Sequence, residues 1–259
     1  MQADRAELEE LGGFALALAR RAGDITLKYF QQSPAVDSKA DGSFVTIADR
    51  EAEAFLRQAI AEKYPHDGIL GEEEGELSGS TGRRWIIDPI DGTFSFVHGV
   101  PFYGVLVGLE IDGEAIVGAV NFPALKELIY AVKGLGCYFQ GALAQVSKTP
   151  NMDQALLLAT DFGTCGEFGF GRAANELQQI AKARRTWGDC YGHVLVATGR
   201  ADVMLDPLMN IWDCAALLPI VSEAGGTFTD WNGTQTIAGG NAISTNGILF
   251  EEVMGIVKE

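Results

Sequence analysis

The sequence predicts a mixed α/β (α+β) fold, antiparallel-rich in its first half and alternating strand with helix in its second. Three observations carry that prediction. Apolar residues recur at helical spacing in 7–30 and again in 49–64. Two alternating runs, "VLVGLEI" and "EAIVGAV", flank Asp112-Gly113, a pair that favours a two-residue primed hairpin turn. Beyond Val146 strand-like and helix-like segments alternate, which calls for an α/β layer packed on the first half.

Taken in order, the first helix puts Leu8, Leu11, Ala15, Leu18, Ala22 and Ile25 on one face. The second turns Ala52, Phe55, Ala59 and Ile60 inward, and Pro65 with the following "HDG" stops it. A short strand then runs into "GILGEEEGE". After the hairpin, "ELIYAV" and "CYFQ" extend the same antiparallel sheet. The second half reads "ALLLATDF" (strand), "RAANELQQIAKA" (helix), "CYGHVLVATG" (helix), "ADVMLD" (strand) and "WDCAALLPIVSEAGG" (helix). Pro219 should kink that last helix or mark a late start, and Gly225-Gly226 should end it. The change of character falls near Ala144, giving lobes 1–144 and 145–259.

The 259 residues suffice for one large two-lobed core. No run of about 18 apolar residues exists, and "MQADRAELEELGG" lacks the basic-then-apolar plan of a secretory signal, so a cytoplasmic location is expected. Cys137, Cys165, Cys190 and Cys214 are scattered and read as reduced core thiols. His66, His98 and His193 show no zinc-type spacing. A net charge of −16 argues against nucleic acid and anionic membrane as partners. It suits metal cations and a cationic substrate.

The stretch "WIIDPIDGT" (85–93) ends an apolar strand in two aspartates separated by a proline. Unpaired carboxylates are costly beside a core, so Asp88 and Asp91 call for a positive partner. Pro89 fixes its own φ and biases Asp88 toward an extended conformation. Gly92-Thr93 opens "GTFSFVHG", whose free backbone N–H groups at a helix start suit a phosphate. The Ile90 carbonyl lies between the carboxylates as a further oxygen donor. All-oxygen ligation favours magnesium or manganese over zinc. Glu72 in "LGEEE" and Asp213 in "IWDCAAL" fit the same picture, although a solvated turn and a helix cap are their structural alternatives.

Taken together, these segments resemble the inositol monophosphatase-like, magnesium-dependent phosphatases. The resemblance covers nearly the whole chain through "GEE" (71–73), "WIIDPIDGTFSFVHGVPFYGV" (85–105) and "WDCAALLPIVSEAGG" (212–226), in family order. It implies a layered αβαβα sandwich of the sugar-phosphatase type and a homodimer. It implies that Glu72, Asp88 and the Ile90 carbonyl hold one Mg²⁺, and that Asp88, Asp91 and Asp213 hold a second. The Gly92 and Thr93 amides would touch phosphate. The Thr93 hydroxyl, oriented by Asp49 in "TIADREAE", would position a water with Glu72. Those four carboxylates and a phosphate dianion total −6, which about three divalent ions balance, so a weaker third ion is expected with substrate.

Within the family, "TWGDCYG" (186–192) is similar to the histidinol-phosphatase branch rather than the inositol branch. Asp189, Asp206 and Asp161 are the expected contacts for the organic half of such a substrate, whose ammonium and imidazole favour carboxylates. A cap before the helix and a turn before Pro207 are the structural alternatives for Asp189 and Asp206. Inositol phosphate, fructose bisphosphate and nucleotide 3′-phosphates are the other esters the family implies. A metal- and phosphate-binding module without turnover is the rival from outside the enzyme class. His98 reads as a satisfied loop histidine, Lys39 as a loop lysine near the metals or a plain surface one.

Overall fold

Asp4 starts the first helix: its carboxylate accepts the Glu7 N–H at 2.9 Å, and α1 runs Arg5–Thr26. This computed structural model describes residues 4–32, 36–38 and 44–258. α1 stops at Thr26 rather than at residue 30. The Thr26 hydroxyl turns back to the Gly23 carbonyl (2.9 Å) and meets the Tyr103 hydroxyl (3.2 Å). Tyr29 and Phe30 then peel away from the helix line to pack with Phe96 and Tyr103.

A short ribbon of β1 (Val36–Ser38) and β2 (Phe44–Thr46) leads into α2 (Ile47–Lys63). Thr46 caps α2: its hydroxyl accepts the Ala48 N–H at 3.1 Å, while Asp49 accepts the Thr46 N–H at 2.8 Å. There follow β3 (Gly68–Gly71), β4 (Gly75–Leu77), β5 (Arg83–Asp91), α3 (Thr93–Val97), β6 (Gly104–Ile111), β7 (Glu114–Phe122), β8 (Glu127–Val132), β9 (Gly136–Phe139) and β10 (Ala142–Leu143). They form an eight-stranded sheet in the order β10-β9-β8-β7-β6-β5-β3-β4, antiparallel except where β3 meets β5. Asp112 and Gly113 have φ of 50° and 87°, the primed turn that the sequence demands between β6 and β7.

The second half supplies β11 (Leu156–Ala159), α4 (Phe162–Glu167), α5 (Gly171–Ile180), β12 (Ala183–Arg185), α6 (Asp189–Ala197), β13 (Val203–Asp206), α7 (Ile211–Glu223), β14 (Thr227–Thr229), β15 (Ala242–Thr245) and α8 (Phe250–Lys258). Their five strands lie in the order β12-β11-β13-β15-β14, with β11 parallel to both of its neighbours.

Strand alternation sorts the side chains into layers. Val105, Val107 and Leu109 face Leu11, Leu18, Leu56 and Ile60 of α1 and α2. Leu106 and Val120 face Val194, Leu217 and Ile220 of α6 and α7, whose cluster continues to Leu158, Met204 and Phe228 of the second sheet. Leu157, Val203, Leu205 and Ile243 turn the other way, toward Leu177, Val253 and Met254 of α5 and α8. The result is the αβαβα sandwich.

Pro219 lies inside α7 and neither delays nor ends it, so of the two expectations, a kink or a late start, the late start is excluded. The helix is held on both faces by sheets, and that burial outweighs one missing backbone hydrogen bond. Two glycines make the depth possible. Gly108 and Gly118 are cross-strand partners on β6 and β7. A Cβ on Gly118 would lie 2.0 Å from the Ala216 carbonyl oxygen, and one on Gly108 2.8 Å from the Ala215 Cβ. Gly118→Ala should therefore lower the unfolding free energy by about 1–3 kcal/mol through overpacking. Denaturant unfolding with an unchanged midpoint would contradict this seating of α7.

Candidate metal centre and active site

Asp88 and Asp91 are three residues apart, so a regular strand would point them to opposite faces of the sheet. The pairing of β5 with β6 slips between Asp88 and Asp91, and that irregularity brings them back to one side. Pro89, with no N–H to donate, sits inside the slipped segment, where the ladder loses nothing by it. Asp213 arrives on the first turn of α7. One carboxylate oxygen from each of Asp88, Asp91 and Asp213 lies within 4.8 Å of the others.

Backbone donors hold these acids in place. Asp88 accepts the Ile90 N–H at 2.9 Å, Asp91 the Cys190 N–H at 2.6 Å, and Asp213 the Asn210 N–H at 2.6 Å. Asp213 is thus both a helix-start acceptor and a member of the cluster, so its structural alternative and its functional reading hold at once. Burial pushes Asp88 well above the usual carboxylate range, and the charges of Glu72, Asp91 and Asp213 push it further. Asp91 and Asp213 open partly to a cleft yet lie deep among protein atoms. Burial raises each to about 7, helped for Asp91 by the Asp213 charge and for Asp213 by the Glu72 charge. Glu72, on the turn after β3, therefore belongs to the same electrostatic group.

No lysine or arginine among the described residues offsets Asp88, Asp91 or Asp213. Asp49 is fully buried, with one oxygen taking the Thr46 N–H and hydroxyl and the other, Oδ1, without a partner. Burial raises it to about 6. An all-oxygen donor set, like charges gathered at close range, and a buried Asp49 oxygen that has no partner among the described residues and feels the Glu72 charge fit a hard divalent cation.

The Thr93 hydroxyl donates to the Ile90 carbonyl at 2.9 Å rather than bonding Asp49. Gly92 caps α3 at φ 80°, so the Gly92-Thr93 segment opens a short helix as expected. His98 is exposed, its Nδ1 2.8 Å from the Phe94 carbonyl and its ring on Phe94, a loop residue satisfied locally. Lys39 lies outside the described residues.

A cleft of about 210 Å³ joins Asp91 and Asp213 to Asp161, Asp189 and Asp206. Asp189 is the first residue of α6, at φ 51°, and its N–H donates to the Thr160 hydroxyl at 2.9 Å. Burial and the Asp91 charge raise it to about 7. Asp206 ends β13, accepts the Thr160 hydroxyl at 2.9 Å, and is raised by burial. Asp161 caps α4 by accepting the Gly163 N–H at 2.9 Å while also lining the cleft. Thr160, the link between Asp189 and Asp206, escaped the sequence reading. A polar residue at the carboxyl end of a parallel strand, where α/β sheets place ligands, was the signal available.

A sequence model of the inositol monophosphatase family matches residues 7–258. Histidinol-phosphatase of Chlorobaculum parvum is 45% identical over 94% of this chain and 95% of its own. Histidinol-phosphatase of Mycobacterium tuberculosis is 38% identical over 93% of this chain and 95% of its own. Among solved structures, an inositol monophosphatase from Zymomonas mobilis superposes with a TM-score of 0.87 at 32% identity, covering 98% of this chain and all of that one.

The raised carboxyls set a sign for pH. Held near 7 in the fold and near about 4 when unfolded, Asp91, Asp189 and Asp213 bind more protons folded across that interval. Stability from them is present below about pH 4 and is lost as pH rises through about 7. Melting of cation-free protein should fall between about pH 5 and about pH 8, and Mg²⁺ should raise it more at the upper end. An equal Mg²⁺ shift at both pH values would separate the cation from this cluster.

Proposed function

This chain belongs to the inositol monophosphatase family and is a phosphoric monoester hydrolase; we propose that its substrate is L-histidinol phosphate, cleaved to L-histidinol and phosphate with Mg²⁺. One observation carries the substrate: besides Asp91 and Asp213, which this reading gives to the ions, Asp161, Asp189 and Asp206 line the cleft, and no lysine or arginine among the described residues does. An ammonium and an imidazole suit such a wall. A second phosphate, as in fructose bisphosphate, would meet no cationic side chain among the described residues of that wall, and the neutral ring of inositol would leave the acids uncompensated.

In this reading Glu72, Asp88, the Ile90 carbonyl, Asp91 and Asp213 would be the residues that hold the divalent ions, two to three per site. Bound there, magnesium supplies positive charge that neutralises the ester, acidifies a water and steadies the leaving oxygen. The Gly92 and Thr93 amides hold phosphate oxygens at the start of α3. Glu72 and the Thr93 hydroxyl orient the attacking water, and Glu72 takes its proton. The new P–O bond forms in line as the bond to the histidinol oxygen breaks, and that oxygen leaves with a proton from solvent. Release of the Thr93 hydroxyl from the Ile90 carbonyl frees the hydroxyl for Asp49 and the carbonyl for an ion. Asp189, Asp206 and Asp161 meet the cationic alcohol.

No described helix is long and apolar enough to cross a membrane. A homodimer, a cytoplasmic location, a metal-carrying lobe 1–144 and a substrate-facing lobe 145–259 complete the proposal.

Phosphate release should be Mg²⁺-dependent and faster with histidinol phosphate than with inositol phosphate or fructose bisphosphate. Binding without release would leave a non-catalytic module, and preference for inositol phosphate would overturn the substrate. Asp189→Asn and Asp206→Asn should each raise KM for histidinol phosphate about tenfold, roughly 1.4 kcal/mol, with less effect on a neutral ester. Equal effects on both esters would discard the two acids as selectivity residues.

A further inference from the structure

Glu72 sits on a turn, residues 72–74, with no regular element to fix it. The chain that follows it is gripped by one buried side chain from α2, against which the residue before it is closely packed. Glu53 has no accessible surface, and a carboxylate is costly to bury unless its oxygens are bonded. Its Oε2 accepts the Glu73 N–H at 2.8 Å; its Oε1 accepts the Glu74 N–H at 2.9 Å and the Arg57 Nε–H at 2.8 Å. Arg57, four residues on, also donates to the Gly75 carbonyl, closing the clamp across the turn. On the other side of Glu72 stands Gly71, where a Cβ would lie 2.3 Å from Glu53 Oε1.

We propose that Glu53 is the positioning residue for Glu72, fixing the turn to the helix that carries Asp49. Asp49 and Glu53 are one turn apart on α2. The distance between the Asp49 and Glu72 carboxyls is thereby set by a rigid helix, not by a free loop. Ordinary structural support would be expected to cost stability alone; a clamp acting through Glu72 changes what Glu72 does.

The inference rests on the role assigned to Glu72, and the experiment separates the two. In the full-length protein, Glu53→Gln presents an amide NH₂ to two N–H donors and Arg57. We expect kcat with histidinol phosphate to fall roughly 10–100-fold with KM within about threefold, and calorimetric Mg²⁺ affinity to fall alongside. In a Glu72→Gln background the same change should remove no further kcat or Mg²⁺ affinity, while its effect on melting persists. Wild-type kcat and Mg²⁺ affinity in Glu53→Gln, or equal losses in both backgrounds, would overturn the clamp. Should Glu53→Gln not fold, Arg57→Gln, at the rim of the clamp, should show the same pattern with a loss of about threefold to tenfold. Unchanged kcat and Mg²⁺ affinity in Arg57→Gln would then be the overturning result. A fully active Glu72→Gln would overturn the role of Glu72 and the clamp together; an inactive Glu72→Gln beside a fully active Glu53→Gln overturns the clamp alone.

Discussion

Mutual repulsion among Asp88, Asp91, Asp213 and Glu72 is the constraint around which the rest of this molecule is arranged. Two ionised carboxyls at the separations seen here repel by on the order of 3 kcal/mol at an effective dielectric of about 20. Among the described residues the protein supplies three backbone N–H groups to the aspartates and no cationic side chain. Amide dipoles orient the oxygens and favour the ionised form, but they do not cancel the charge. Burial first, and the neighbouring like charges after it, raise all three carboxyls. A scaffold that gathers acids and withholds counter-charge is poised for a divalent ion.

The gathering is done by the middle layer of the sandwich. α6 brings the Cys190 N–H to Asp91, and α7 brings Asp213 itself. Both helices reach the end of β5 because the sheet beneath them is locally bare. Gly104 is paired with Asp91 in the ladder, and a Cβ there would fall 2.7 Å from the Cys190 sulfur. Gly108 and Gly118 do the same for the backbone of α7. Close approach of helix to sheet and close approach of carboxyl to carboxyl are thus one geometric condition. The buried thiols of Cys190 and Cys214 fit it as small side chains, and burial pushes both thiols up, away from reactivity.

Much of this was legible in the residues. Helical spacing and the Asp112-Gly113 turn are local signals, and local signals survive into the fold. "WIIDPIDGT" announced itself because two acids and a proline at the end of an apolar run have no purely structural purpose. What escaped is non-local. β14 and β15 are three and four residues long and owe their strand character to pairing across the sheet. Pro219 left a late start open, but the rule against proline in helices weighs one hydrogen bond, whereas α7 is held from two sides. Glu53 carries no signal in the sequence, since nothing in its neighbourhood says that it meets residues 73 and 74. Thr160 was hidden likewise, its partners Asp189 and Asp206 lying far along the chain.

The first turn of α6 is one place where the wall of the cleft meets the Asp88–Asp91–Asp213 cluster. Asp189 and Cys190 are adjacent, yet one faces the cleft as a carboxyl and the other gives its amide to Asp91. Asp189 holds a left-handed φ of 51°, uncommon for a residue with a side chain. Such strain persists only where surroundings over-determine it. Here the Asp189 amide is fixed by Thr160, and a Cβ on Gly188 would come within 2.2 Å of the Thr160 Cα. The start of α6 therefore has no slack. Any change that re-aims Asp189 toward a different alcohol also moves the amide that steadies Asp91. The placement of the Asp189 carboxyl and the backbone support of Asp91 are consequently bound into one backbone turn, so a change at either is expected to be felt at the other.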